Sequence, residues 1–236
     1  MNMLYLENLN ISAGISSFEN PTLPFLEKAL NLDDILVGSP SSTQLIASPN
    51  RLISEGIDKD DWLIVNAALT PAPGDVLYAS VDNIFGIATF EMISDISVKR
   101  QEECIVIGVV QQSVHFFRTT PDCSGYGSFS QFSLHETLVE SEHSTVLAKA
   151  SGNSMLPFIH NGDLLLIERH LNYKNGDVVI VALDGDLIVK RIDLMNRQFL
   201  SDNYRHYPAQ RFDKFSRMSM EGVLNKVIRL HRCIAS

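Results

Sequence analysis

Short apolar runs separated by glycine-containing turns set the pattern of this chain. Leu164–Ile167, Val178–Leu183 and Leu187–Val189 each have the length of a strand. Asn161-Gly162-Asp163, Asn175-Gly176-Asp177 and Asp184-Gly185 punctuate them. Runs of this length between such turn residues predict short β-strands joined by tight turns, and a mainly β fold.

The pattern occurs twice. Asp60-Asp61-Trp62-Leu63-Ile64-Val65 matches Gly162-Asp163-Leu164-Leu165-Leu166-Ile167, Gly74-Asp75-Val76-Leu77 matches Gly176-Asp177-Val178-Val179, and Val81-Asp82 matches Leu183-Asp184. The offsets are 163 − 61 = 102, 177 − 75 = 102 and 184 − 82 = 102. A constant offset over three motifs is the signature of an internal repeat. Upstream, Ala47-Ser48 pairs with Ala150-Ser151 at an offset of 103, which implies a one-residue gap in the loop between. Downstream, Gly108-Val109-Val110 pairs with Gly222-Val223-Leu224 at 114, so the second copy carries 114 − 102 = 12 extra residues, placed in Met195–Ser216. The expected organisation is an arm at 1–13, a first module at 14–118, a linker at 119–129 and a homologous second module at 130–236.

With 45% hydrophobic and 20% charged residues the chain can bury an ordinary core. A net charge of −9 argues against a free-standing, sequence-specific DNA binder, which would carry a basic patch or stripe. Cys104, Cys123 and Cys233 lack metal-ligand spacing, and the seven histidines form no i, i+4 pair or Cys/His cluster, so no metal and no cofactor are expected. No apolar stretch approaches the roughly 20 residues that span a bilayer. Met1–Glu7 lacks the basic and apolar regions of a signal peptide, which makes the expected location cytoplasmic.

Within Ser151-Gly152-Asn153-Ser154-Met155, Ser154 is a candidate nucleophile, and Lys190 in Val189-Lys190-Arg191 is a candidate base. A serine hydroxyl needs a base at neutral pH, and a lysine serves as one only when burial strips its proton. A lysine closing an apolar run is also an ordinary surface charge, and a serine before a methionine is ordinary too. In the first module, the repeat sets Arg51 against Ser154 and Ala88 against Lys190, so that copy lacks both groups.

Gly152, Ser154 and Met155, followed in order by Gly162-Asp163, Gly176-Asp177-Val178-Val179, Asp184-Gly185 and Val189-Lys190-Arg191, resemble the Ser-Lys self-cleaving peptidase domain of LexA repressors, phage repressors and UmuD mutagenesis proteins (S24-like). The resemblance spans roughly residues 130–232 and implies two LexA/UmuD-like β-clip modules in tandem, the first degenerate. It assigns Ser154 as nucleophile and Lys190 as general base. The family cuts its own chain at an Ala-Gly or Cys-Gly bond ahead of the serine, and Ala13-Gly14 is the matching bond here. Only about thirteen residues precede that bond, too few for the DNA-reading domain of LexA-type repressors. The resemblance is therefore to UmuD. It implies a part in the SOS response to DNA damage, cleavage provoked by a RecA filament, and service to a Y-family, UmuC-like translesion polymerase. The modules would pair within the chain or as a homodimer. The alternative reading is a non-cleaving UmuD-like decoy that regulates a repressor or polymerase. The Met195–Ser216 insertion, with Tyr204, Arg205, Tyr207, Arg211 and Phe212, reads either as a partner surface or as a long solvated hairpin.

Overall fold

A computed structural model describes residues 6–12, 31–37, 40–100, 103–123, 133–141, 143–183, 185–213 and 217–232. In chain order the elements are strand β1 (Leu6–Ser12), helix α1 (Leu32–Leu36), β2 (Thr43–Ala47), β3 (Trp62–Asn66), β4 (Val76–Val81), β5 (Ile84–Thr89), helix α2 (Phe90–Arg100), β6 (Cys104–Phe116), helix α3 (Leu134–Leu138), β7 (Thr145–Ser151), β8 (Leu164–Glu168), β9 (Val178–Leu183), β10 (Asp186–Asp193), β11 (Gln198–Leu200), β12 (Gln210–Arg211) and β13 (Met218–Leu230). The protein is mainly β. Among the described residues no helix is long and apolar enough to cross a membrane.

The chain divides into two compact units. The first takes its residues from 32–115, 120–135 and 229–236, the second from 1–31, 116–119 and 136–228. In the first, antiparallel strands follow the order β2-β3-β6-β4-β5. Leu52, Ile57, Leu63, Val65, Val76, Ile87 and Val110 form one core cluster. Leu77, Ala79, Ile93 and Val109 form another, with Ile93 contributed by α2. Asp82 and Asn83, at φ 49° and 64°, make the two-residue β4–β5 turn, where both central residues need the left-handed region.

In the second unit the order is β1-β7-β8-β13-β9-β10-β11-β12, antiparallel throughout except for the parallel β1/β7 pair. Val146, Ala148, Met155, Leu165, Ile180, Leu224 and Val227 belong to its main core. Phe199 packs with Val179, Val181 and Ile188 and lies tilted against Phe212 at 4.6 Å between ring centres.

Each unit's Gly-Asp pair works by one local mechanism. Gly74 and Gly176 sit at φ 86° and 90°, a region that costs glycine little. The aspartate that follows accepts the backbone N–H three residues back: Ala72 donates to Asp75 Oδ2 and Lys174 to Asp177 Oδ2, both at 2.7 Å. An arginine of the same unit completes each carboxylate, Arg232 on Asp75 and Arg118 on Asp177.

The same offsets govern the strand irregularities. Gln111 is the extra residue where β6 passes β3, and Asn225 where β13 passes β8, with 225 − 111 = 114. Ile107 and Glu221 are the extra residues facing β4 and β9, with 221 − 107 = 114. Upstream, the register corrects the expected one-residue gap. Ala47 faces Trp62 and Lys149 faces Leu164, an offset of 102. Ser48 donates its N–H to Asp61 O at 2.7 Å as Ala150 does to Asp163 O at 2.8 Å. The Ala-Ser dipeptides suggested 103, but backbone pairing sets correspondence, and the loops from 48 to 61 and from 150 to 163 are equally long. Leu52, not Arg51, therefore lies 102 residues before Ser154.

Gly108 and Gly222 sit beside these bulges where chains approach closely. A Cβ on Gly108 would meet Val65 Cγ1 at 2.7 Å and the Asn66 carbonyl oxygen at 2.9 Å, and one on Gly222 would meet Ile167 Cγ2 at 2.6 Å. Gly108→Ala is expected to lose about 1–3 kcal/mol of stability by overpacking against a backbone that cannot yield. A urea unfolding midpoint equal to that of the unmodified protein would contradict this packing.

Candidate active site

Ser154 lies in the turn-rich connection from β7 to β8. Hydrogen bonds from Ala150 N–H to Asp163 O and from Gly162 N–H to Ala150 O tie the base of this loop. Gly152 adopts φ 90° and donates its N–H to Asn161 Oδ1 at 3.2 Å, which holds the loop closed from within. Met155 is buried in the main core and anchors its neighbour, and Ser154 is 0% exposed.

Lys190 stands in β10 opposite Val179 of β9, between Val189 and the buried Ile192. It is 4% exposed. Its Nζ lies 2.9 Å from Ser154 Oγ and 3.0 Å from Ser201 Oγ, donating to both. Burial, which disfavours the charged ammonium, pulls its pKa from 10.5 down to about 8, against an opposing pull from the Asp202 carboxylate. Asp202 is itself held by Arg191, whose Nε and Nη2 each donate at 2.8 Å, while Arg191 Nη1 donates to Gly176 O. The residue beside the lysine thus neutralises the carboxylate that would otherwise keep the lysine charged.

The insertion supplies a wall of this site. Asn203 donates its N–H to Ser154 O and its side-chain amide to Asn153 O, both at 3.0 Å. The Tyr207 ring centre is 5.8 Å from Lys190 Nζ. Sequence reasoning missed Ser201, Asp202 and Asn203. The signal that could have found them is the hairpin register: Asp193 faces Gln198, Ile192 faces Phe199 and Arg191 faces Leu200, so continuing the hairpin sets Ser201 against Lys190.

Ala13 and Gly14 lie outside the described residues. The strand that leads to them does not: β1 runs parallel to β7 with Ser12 opposite Ser151, three residues before Ser154. In the first unit, Ala88 holds the register position of Lys190, facing Leu77 as Lys190 faces Val179. Leu52 is buried in the core at the offset of Ser154. Asn50 bonds both backbone groups of Ile87, donating to its oxygen and accepting its N–H. Among the described residues no group of three or more His, Cys, Asp or Glu side chains is placed to hold a metal.

A buried lysine bonded to a buried serine sets a candidate base against a candidate nucleophile. Residues 121–225 match the family model for Peptidase S24-like proteins. Over these residues the chain is similar to that family. It is 31% identical over 84 residues to Protein MucA of Salmonella typhimurium, covering 35% of this chain and 58% of that protein. It is 35% identical over 71 residues to Protein ImpA of Escherichia coli, covering 30% and 49%. Protein SamA of Salmonella typhimurium strain LT2 is 30% identical over 80 residues, covering 34% and 57%. The chain thus spans about half the length of the curated relatives it matches.

A lysine whose folded pKa is depressed costs stability in full below about 8, and the cost fades across the pH window in which only the unfolded chain holds the proton. Stability should therefore rise with pH from about 8 to about 10.5 and level off beyond. The gap between those values corresponds to about 3 kcal/mol. In a Ser154→Ala background, denaturant titrations across this range should show that rise, and adding Lys190→Met should abolish it. A flat profile with Lys190 present would mean the nitrogen is not desolvated.

Proposed function

We propose that the chain is a UmuD-like self-processing serine endopeptidase of the SOS response, with Ser154 as nucleophile and Lys190 as general base. The observation that carries this reading is the 2.9 Å bond between a buried lysine with a pKa of about 8 and a buried serine. Neutral Lys190 takes the Ser154 proton as Oγ attacks the Ala13 carbonyl carbon. Backbone N–H groups around Ser154 stabilise the oxyanion. The C–N bond breaks as the Lys190 ammonium protonates the Gly14 amine, leaving an Ala13 ester on Ser154. Lys190 then deprotonates a water that hydrolyses the ester and frees the serine.

The β1/β7 pairing supports Ala13-Gly14 as the bond cut, because it brings the chain beside the serine loop one residue before Ala13. The burial of Ser154 favours a tethered substrate over a diffusing one. It is also the observation favouring the second reading, a non-cleaving decoy in which the dyad is kept but unused. On the first reading the trimmed form acts in the cytoplasm as accessory subunit to a Y-family, UmuC-like polymerase, with a RecA filament as trigger. The relatives named MucA, ImpA and SamA support that assignment.

The first unit is read as a second copy of the same domain that lost its dyad. The shared strand order, the bulges at a common offset of 114 and the paired Gly-Asp turns support duplication. Leu52 and Ala88 at the dyad positions leave that copy without nucleophile or base.

Intact mass followed over time at about pH 10 tests the peptidase reading. Residues 1–13 should be lost from the unmodified protein and retained in Ser154→Ala. The rate at pH 7 should be roughly a tenth of its plateau above pH 9, since only that fraction of a base with pKa about 8 is neutral. An intact chain at every pH, with or without an activated RecA filament, would leave the decoy reading.

A further inference from the structure

We propose that Ser201 is a positioning residue that aims the Lys190 nitrogen at Ser154, a role that rests on the peptidase reading above. Ser201 follows β11 and is carried back over the lysine by the β10–β11 hairpin, whose register sets residue 201 against residue 190. Its side chain is 4% exposed, and its Oγ accepts from Lys190 Nζ at 3.0 Å. A hydroxyl buried this far from water is costly unless bonded, so the pairing holds both groups in place.

The geometry gives the pairing a chemical consequence. A neutral amine has two N–H bonds and one lone pair. With one N–H directed at Ser201 Oγ, rotation about the Cε–Nζ bond is restrained, and the lone pair is turned toward Ser154 Oγ 2.9 Å away. Orientation of a base before the reaction removes an entropic part of the barrier. The hydroxyl also accepts more strongly from an ammonium than from an amine, so it holds the lysine pKa up against the burial that lowers it. The Asp202 carboxylate, bonded to Arg191, and the Tyr207 ring also lie near this nitrogen.

The test is the pH profile of self-cleavage in Ser201→Ala and Ser201→Thr, with the Lys190 titration followed by NMR of ¹⁵N,¹³C-lysine-labelled protein in a Ser154→Ala background. Ser201→Ala should cut about tenfold or more slowly on the alkaline plateau, with the midpoint of its profile moved to lower pH. Ser201→Thr, which keeps the hydroxyl, should recover most of the rate. The NMR midpoint of Lys190 should fall when Ser201→Ala is added to Ser154→Ala, and this reading decides if the threonine is not tolerated. An unchanged rate and midpoint in Ser201→Ala overturn the proposal. So does a slower rate with both midpoints unmoved, which is what a merely structural residue would give. If the unmodified protein never cleaves yet the NMR midpoint moves, the peptidase reading fails while the hold of Ser201 on Lys190 stands.

Discussion

The removal of one amine from water is the constraint around which the second unit is arranged. Keeping the Lys190 nitrogen buried against the hydroxyls of Ser154 and Ser201 opposes its charge, and the neighbouring elements keep that burial in force. β9 and β10 fix where the lysine side chain emerges, the tied loop from Ala150 to Asp163 fixes the serine, and the return of the β10–β11 hairpin closes the third side. Arg191 belongs to the same device. By occupying both oxygens of Asp202 it weakens a nearby charge that pulls the lysine back toward its protonated state.

Among its described residues the first unit lacks a buried lysine of this kind. Its five strands follow the same order, and its bulges fall at the same offsets. Where the second unit buries Ser154 against Lys190, the first packs Leu52 into its core and ties Asn50 to the backbone of Ile87. The covers differ as well. Ile93 of α2 lies on Leu77, Ala79 and Val109 in the first unit, whereas Phe199 and Phe212 lie on Val179, Val181 and Ile188 in the second. The extra residues of the second unit therefore do two things at once. They cover a sheet face, and they carry Ser201 to Asn203 into the site.

Much of this was legible in residue order, because the determinants are local. Apolar runs of strand length between Gly-Asp turns announce antiparallel strands, since the glycine supplies a left-handed φ and the aspartate closes the turn on the N–H three residues back. The recurrence of these turns 102 residues on was legible for the same reason. Ser154 and Lys190 stood out through the motifs that flank them. The loop preceding Asp61 was misaligned by one residue because two Ala-Ser dipeptides resembled each other, while correspondence in a sheet is set by which backbone groups face each other.

What residue order did not contain is distance across the sheet. Nothing local marks Ser201 as a neighbour of Lys190 eleven positions earlier; the hairpin register brings them together, and the burial of both turns an ordinary serine into a partner of the amine. The depressed pKa of Lys190 likewise depends on the side chains that exclude water from it, which come from strands and loops far apart in the chain. Strand, turn and repeat are written in short-range spacing. The electrostatics of the site come from packing, because desolvation is a property of what surrounds a group in space.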